Sequence, residues 1–431
     1  MNHNSEIISP DRILSVSRAV LPNGLKFVHH HMPDSAMVAL DVLYHTGACD
    51  EQPDLTGIAH LFEHIMFGGS KNVSDFDALL TQAGGVSNAW TGNDFTNFYE
   101  VAPAHNAETL FYLESDRMLE PAISENSLEI QRSVVIEEFK QQCLNAPYGN
   151  MTHTLRQMVY GSHPYSWPVI GKDFEGLKKV TRRDVQDWWL RNYSPDNAVL
   201  AVAGNITFDN AYQLALKWFG NIPARHRAPR SLEPIANIVS RQERTVYGAV
   251  PATLITVAYL MDPYGTKDYV AADAITDILS AGQASRFFQR INMNPDAPIV
   301  NADASITGAE NRGMLMLSAR LANEDIDLEA ATDYLIQAAR SIITDGVSDY
   351  ELQRSKNRQQ SMFVMSNMAC VACAQTIAEA EMHGQNPGQR LALYNQLSTD
   401  DIVRVATDIF DNSFPAILYY RPLNSSEKTD S

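Results

Sequence analysis

The sequence is poor in cysteine, in basic residues and in long apolar segments. Its 4 cysteines in 431 residues are too few for a disulfide framework in a chain of this size. No stretch of about 20 consecutive apolar residues occurs, which excludes an ordinary membrane-spanning helix. Lys and Arg number 33 against 51 Asp and Glu, for a formal net charge of −18. This balance argues against nucleic acid as a partner, because a basic face supplies most of that affinity.

The first residues also lack the features of a secretory signal. Residues 1–6 contain neither a basic n-region nor an apolar h-region. We therefore predict a cytoplasmic protein, with a periplasmic location as the alternative if a signal peptide has been removed. Cys370 and Cys373 are spaced as Cys-x-x-Cys, but no second pair accompanies them and small residues surround them. We interpret both as structural thiols on a buried helix.

The strongest chemical signal lies in residues 57–69. This segment predicts a helix that ends at a Gly-Gly pair and that Asp54 or Thr56 caps at its start. Within it, His60, Glu63 and His64 share one face, because residues three and four apart on a helix are neighbours. Two imidazoles one turn apart can bind a single Zn²⁺, and the intervening Glu can act as a base. The order His-x-x-Glu-His is that of the inverted zinc-protease motif.

An accidental match on a surface helix is the competing interpretation of this short motif. The residues around His60, Glu63 and His64 favour the zinc interpretation, since they make the helix largely apolar. They are Ile58, Leu61, Phe62, Ile65 and Met66. Two imidazoles and a carboxylate on a mostly buried helix are costly unless something satisfies them, and a metal ion would do so.

A catalytic zinc needs a third protein ligand, and residues 124–140 offer one. They predict a long helix with Ser124 as its N-cap and an apolar centre. Glu137 and Glu138 follow that centre, where one side chain could point inward and the other toward water. The pattern does not choose between them, and the alternative is that both are solvated.

These segments, His60-Leu61-Phe62-Glu63-His64 and Arg132-Ser133-Val134-Val135-Ile136-Glu137-Glu138, resemble the pitrilysin and mitochondrial-processing-peptidase family of zinc peptidases. The likeness covers nearly the whole first half and, more weakly, the second half. It implies that Glu138 is the third zinc ligand and that Glu63 is the general base. It also implies that residues 88–91 form an edge strand that holds the substrate, namely Asn88, Ala89, Trp90 and Thr91. Phe67, one turn after His64, is placed to line a pocket beside the cleaved bond.

The second half of the chain repeats the first. A strand at 254–260 and a helix at 271–279 echo the early strand and the zinc helix, and the capped helix start at 180–185 returns at 397–402. We predict an α+β fold of two homologous halves. Each is a mixed β-sheet with helices mainly on one face, and the resemblance implies that together they form half of a clamshell chamber. The predicted division is a zinc-binding half at 1–225, a linker at 226–245 and a metal-free half at 246–431.

Two departures from the family accompany this repeat. In the second half Asp273, Thr276 and Asp277 stand where the metal set stood, so only the first half is expected to bind zinc. The family's supporting Glu, seven residues before the third ligand, is Gln131 here. The family's substrate-binding Arg and Tyr align with Asn292 and Ile299 in this sequence. Arg286 and Arg290 are alternative sources of the cation.

The function predicted from these features is a zinc-dependent endopeptidase that hydrolyses unfolded peptides inside a chamber. Because one chain resembles one side of that chamber, the expected partner is a second chain, in a homodimer or in a heterodimer with a sibling subunit. The alternatives are a weakly active or non-catalytic subunit of a peptidase complex and a dedicated precursor-processing peptidase.

Overall fold

The computed structural model describes residues 14–423; residues 1–13, which include the segment searched for a signal peptide, and residues 424–431 lie outside the described part. The fold is α+β, as predicted. The strands are β1 (Ser17–Val20), β2 (Lys26–His31), β3 (Met37–Tyr44), β4 (Val86–Thr91), β5 (Thr96–Pro103), β6 (Ala198–Gly204), β7 (Gln242–Gly248), β8 (Leu254–Pro263), β9 (Ile299–Ile306), β10 (Arg312–Leu321) and β11 (Ala416–Pro422). The helices are α1 (Ile58–Ile65), α2 (Phe76–Gln82), α3 (Ala107–Leu119), α4 (Glu125–Phe139), α5 (Met151–Tyr160), α6 (Phe174–Lys179), α7 (Arg182–Asn192), α8 (Phe208–Phe219), α9 (Lys267–Ser280), α10 (Leu328–Thr344), α11 (Asp349–Ser366), α12 (Cys370–Met382), α13 (Gln389–Gln396) and α14 (Thr399–Phe410).

The first compact unit contains the described residues up to 138, with 167–231 and 361–391. Its six-stranded sheet has the order β1-β2-β6-β3-β5-β4, in which β2 and β6 are parallel and the other pairs antiparallel. Alternate residues of β3 face opposite sides, as the strand period requires. Val38, Leu40 and Val42 join the core that contains α1, α3 and α8, whereas Ala39 and Leu43 pack against α12.

The second compact unit contains residues 139–166, 232–360 and the described residues from 392 onward. Its five-stranded sheet has the order β7-β11-β8-β10-β9, with β7 and β11 parallel and the other pairs antiparallel. Residues from β8, β10, α9, α10 and α14 share its main core. The helix α5 contacts β11 and β8.

The repeat predicted from the sequence is visible in matching helix starts. Thr181 caps α7 and Ser398 caps α14, and each forms a capping box with an Asp three residues later, Asp184 and Asp401. The compact units nevertheless do not follow the sequence division at 225 and 246, because 139–166 belongs to the second unit and 361–391 to the first.

The helix α12 was expected to be buried and rich in small residues, and this prediction is confirmed. Cys370 and Cys373 are both buried in its first turn. Among residues 14–423 no single helix has both the length and the apolar composition of a membrane span; the sharply bent pair α11 and α12 meets the two criteria only when taken together.

Candidate metal centre

The helix that carries the motif is enclosed by apolar neighbours. In α1, Ile58, Leu61, Phe62 and Ile65 are each no more than 3% exposed. The predicted caps are wrong: the N-cap is Gly57, which has no side chain to offer and adopts φ +92°. The Glu51 carboxylate instead accepts the N–H groups of Gly57 at 3.0 Å and Ala59 at 2.9 Å. Buried backbone donors need such a partner, because water does not reach them.

Three side chains converge at the polar edge of this helix. The Nε2 atoms of His60 and His64 lie 3.3 Å apart, and Glu138 Oε2 lies 3.7 Å and 3.6 Å from them, respectively. In the described part of the chain no other group of three His, Cys, Asp or Glu side chains converges in this manner.

Glu138 reaches the two histidines from α4. The hydroxyl of Ser124 accepts the N–H of Ser127 at 3.0 Å and so caps this helix, as predicted. Val135 is buried, which fixes the helix rotation. Glu137 is consequently exposed, while Glu138 is half-buried and faces His60 and His64. The sequence pattern did not choose between Glu137 and Glu138 as the residue that points inward. In the structure, the burial of the helix directs Glu138 toward the histidines.

The spacing of the three ligand atoms fits a zinc ion. Ligands about 2.1 Å from a tetrahedral zinc lie about 3.4 Å from one another. The observed separations of 3.3, 3.6 and 3.7 Å are close to that value. Two imidazole nitrogens and one carboxylate oxygen are also a donor set typical of catalytic zinc.

The electrostatics of the site favour neutral imidazoles, the form that binds metal. Burial, together with the neighbouring His64, lowers the pKa of His60 to about 4. Burial also lowers the pKa of His64, although the charge of Glu138 and a hydrogen bond with the Gln131 side chain act in the opposite direction.

Glu63 lies beside the three ligands on the same helix and is 8% exposed. Its carboxylate accepts a hydrogen bond from the Thr91 hydroxyl at 2.5 Å. Burial and the negative charge of Glu138 raise the pKa of Glu63 to about 7, against the opposing effects of Thr91 and Arg117. A buried carboxylate with such a pKa suits proton transfer near neutral pH.

The segment predicted to hold the substrate is β4, and it occupies one edge of the first sheet. It pairs with β5 on one side, from Val86↔Val101 to Thr91↔Thr96. Thr91 and Ala89 lie on the face toward α1, whereas Asn88 and Trp90 are exposed on the opposite face. Thr91, predicted only as a substrate contact, is therefore also the residue that orients Glu63.

Phe67 is half-buried in an aromatic cluster with Phe76 and Phe98. The guanidinium of Arg117 lies against all three rings, 5.2 Å, 4.8 Å and 4.3 Å from their respective centroids. Arg117 is completely buried and also pairs with two carboxylates, Glu100 and Glu114. The sequence did not reveal this support beneath Phe67, because its members are far apart along the chain.

The positions of the second unit that align with the metal-binding motif are Asp273, Thr276 and Asp277, and their carboxylates have protein partners. Asp277 accepts hydrogen bonds from Ser355 at 3.1 Å and Gln359 at 3.0 Å, and it pairs with Arg358. Asp273 accepts the hydroxyl proton of Tyr394 at 2.5 Å. These carboxylates are thus satisfied by protein donors.

The alternative sources of a substrate-binding cation are also occupied. Arg286 is buried and pairs with Glu351, and Arg290 pairs with Asp345. Ile299 is completely buried at the start of β9.

Two family models match this chain. Residues 26–172 match the model described as insulinase (peptidase family M16), and residues 179–359 match the model described as peptidase M16 inactive domain. The first range contains all three converging side chains, and the second contains Asp273 and Asp277. The models therefore divide the chain in the same way as the side-chain chemistry does.

Named relatives and solved structures agree with these matches. The zinc protease PqqE of Helicobacter pylori is 25% identical over 93% of this chain and 92% of its own length. The beta subunit of the mitochondrial-processing peptidase of Saccharomyces cerevisiae is 22% identical over 89% of this chain and 86% of its own. The crystal structure of a protease from Helicobacter pylori has the same fold, with a TM-score of 0.88, 23% identity and coverage of 95% of this chain and 100% of that one. The predicted resemblance is thereby confirmed, and the chain belongs to peptidase family M16, the insulinase family.

Proposed function

We propose that this protein is a zinc-dependent endopeptidase that cleaves unfolded peptides. The observation that carries the proposal is the convergence of His60, His64 and Glu138 beside a buried carboxylate, that of Glu63. Relatives named as zinc proteases, among them that of Helicobacter pylori, support it.

His60, His64 and Glu138 would hold the metal. A bound Zn²⁺ supplies Lewis acidity, which acidifies water and polarises the scissile carbonyl. Glu63 accepts a proton from the attacking water and then donates it to the leaving amine. The hydrogen bond from Thr91 restricts the rotation of Glu63, so that this carboxylate is oriented before substrate arrives.

The free edge of β4 is the proposed binding site for the peptide backbone. An extended peptide can add to such an edge through main-chain hydrogen bonds, which tolerate many sequences. The side-chain oxygen of Asn88 accepts the N–H of Ala89 at 2.8 Å. A peptide carbonyl that takes this N–H displaces the Asn88 side chain, which can then bind the substrate itself.

The two faces of β4 give the substrate different surroundings. Side chains directed toward Ala89 and Thr91 approach Glu63 and the metal ligands. Side chains on the opposite face lie beside Val86 and Trp90, which are 66% and 42% exposed. Neighbouring strands pair side chains on the same face, so this face favours apolar or aromatic residues at alternate substrate positions. Phe67 is proposed to line a pocket on the metal side.

A two-chain working unit is part of the proposal. Arg286 and Arg290, the alternative sources of the substrate-binding cation, are both paired with carboxylates within the second unit. A second identical chain or a sibling subunit would supply those contacts. Light scattering should show a dimer, or a monomer whose weak activity a sibling restores. A fully active monomer would contradict the two-chain unit.

The test of the enzymatic proposal uses Glu63→Gln and the matched variant Glu137→Gln. With a mixed library of unfolded peptides, Glu63→Gln should reduce turnover by about 10² or more while zinc content stays unchanged. Glu137→Gln alters the exposed neighbour of Glu138 and should retain both. Cleavage by Glu63→Gln at the wild-type rate would assign the base to another residue, and cleavage of a stable folded protein as fast as its denatured form would rule out the chamber.

A further inference from the structure

The first turn of α1 is held from outside the helix. Both oxygens of the Glu51 carboxylate are used: Oε2 accepts the N–H of Gly57 and Oε1 that of Ala59, at 3.0 Å and 2.9 Å. Glu51 is 6% exposed, and the nearby Trp167 donates its indole N–H to the Ala48 carbonyl at 3.0 Å. Burial raises the pKa of Glu51 to about 8, although the hydrogen bonds from the Ala59 and Gly57 amides act in the opposite direction.

This contact matters because α1 is only 8 residues long. His60 is its third residue, directly after Ala59, and His64 follows one turn later. A helix of about two turns is marginal by itself, so its position depends on its surroundings. Gly57 contributes a tight fit, since a Cβ at this position would come within 2.9 Å of the Ile170 carbonyl oxygen.

The residue before Glu51, Asp50, connects the same loop to a different segment, which contains Arg227 and Arg230. Asp50 forms ion pairs with Arg227 at 2.5 Å and Arg230 at 2.7 Å, and all three side chains are nearly buried. Arg230 also donates to the Asp94 backbone carbonyl at 2.8 Å. Two independent sets of hydrogen bonds therefore fix this loop. Asp50 binds Arg227 and Arg230, and Glu51 binds the first amides of α1.

We propose that Glu51 is a positioning residue for the candidate metal site, which sets His60 in register with His64 and Glu138 through the amides of Gly57 and Ala59. Asp50, with Arg227 and Arg230, holds Glu51 in place. Removal of the carboxylate frees the first turn of α1, and the separations of 3.3–3.7 Å between ligand atoms are no longer enforced. This inference rests on the proposed zinc site but not on peptide hydrolysis.

The test is the zinc affinity of the full-length chain, measured at 25 °C by competition with a chromophoric chelator. Glu51→Ala should weaken zinc binding by about 10–100-fold, the range found when partners outside the ligand shell are removed. Glu51→Gln, which keeps one acceptor oxygen, should fall between this variant and the wild type. The visible spectrum of the Co²⁺-substituted protein should change in the same order, because it reports ligand geometry.

Asp327→Ala is the matched control. It also removes a carboxylate that caps a helix, α10, where Asp327 accepts the N–H of Ala330 at 2.8 Å. Because Asp327 is exposed and belongs to the second unit, zinc affinity should not change.

Wild-type zinc affinity and Co²⁺ spectrum in folded Glu51→Ala would overturn the inference. If that variant does not fold, Glu51→Gln decides, and wild-type values there would overturn the inference equally. A wild-type chain that binds zinc but cleaves no peptide would contradict the proposed function alone, whereas one that binds no zinc would overturn both.

Discussion

The helices α1 and α9 carry polar residues at corresponding positions of the two units, but the two sets have different partners. In the first unit, the ligand atoms of His60 and His64 face each other and Glu138. In the second, Asp277 is paired with the guanidinium of Arg358. The cation beside this buried carboxylate of α9 is supplied by the protein itself, from α11. The first unit offers a ligand set for an external cation instead.

This contrast explains how one helix framework can serve two purposes. A buried polar group must be satisfied, and either a metal ion or protein donors can satisfy it. Where protein donors do so, as at Asp277, the polar group contributes to stability. Where three side chains converge instead, as in the first unit, the proposed metal ion would satisfy them.

A large stability effect is expected in the second unit. Arg358→Leu leaves the Asp277 carboxylate, which is 7% exposed, without its charged partner. Loss of a hydrogen bond to a charged group costs about 1.5–3 kcal/mol, and we expect the free energy of unfolding in urea to fall by about that amount. Metal content should stay unchanged.

Arg404→Leu is the control for this variant. Arg404 is about as exposed as Arg358, but its partner Asp268 is 31% exposed rather than buried. Surface pairs contribute about 0.2–1 kcal/mol, so this change should cost less. Equal losses for the two variants would show that Arg358 does not compensate a buried charge.

A smaller effect is expected at Gln131, which hydrogen-bonds to His64 in the first unit. Partners of this kind orient a metal-binding imidazole, and their loss lowers metal affinity by at least about tenfold. Gln131→Leu should weaken zinc binding to that extent with little change in thermal stability. Gln353→Leu, the same substitution on the exposed surface of α11, should have no effect. Wild-type zinc affinity in Gln131→Leu would show that this hydrogen bond does not orient the ligand.

A further prediction concerns the difference in pH dependence between the units. Burial, with contributions from Glu114 and Glu379, raises the pKa of Asp41 in the first unit from 3.8 to about 8. Since the folded chain disfavours the charged form, the stability contributed by protonated Asp41 is present at acidic pH and lost as the pH rises from about 4 to about 8. The difference in unfolding temperature between Asp41→Asn and the wild type should therefore be more favourable to the variant at pH 8.5 than at pH 5. An equal difference in unfolding temperature between variant and wild type at both pH values would contradict a neutral Asp41.

Glu351 in the second unit should show the opposite dependence. Burial opposes its ionisation, but hydrogen bonds from Arg286 and Ser348 prevail and lower the pKa of Glu351 from 4.5 to about 2. Its contribution to stability is present above about pH 4.5 and is lost as the pH falls toward 2. Glu351→Gln should flatten the acid side of the stability profile. An unchanged acid slope would contradict this assignment.

Much of the fold and of the candidate site could be predicted because the signals are local. The apolar residues around His60, Glu63 and His64 predicted α1, and the capping residues Thr181 and Ser398 marked corresponding helix starts. The approach of Glu138 to the histidines followed from the family resemblance rather than from the pattern.

The features that the sequence missed depend on tertiary contacts. Glu51 lies six residues before Gly57, so a search for a capping residue next to α1 could not find it. The assignment of α5 to the second unit and of α12 to the first depends on which sheet each helix contacts. Periodicity identifies the apolar face of a helix but not the sheet that will cover it.

Metal analysis of three purified proteins tests the central claim most directly: the wild type, His64→Ala and Asp277→Asn. After dialysis against metal-free buffer, the wild type and Asp277→Asn should each retain about one equivalent of zinc per chain, whereas His64→Ala should retain almost none. This result would assign the metal to the first unit alone. Two equivalents in the wild type, or full retention in His64→Ala, would contradict the account.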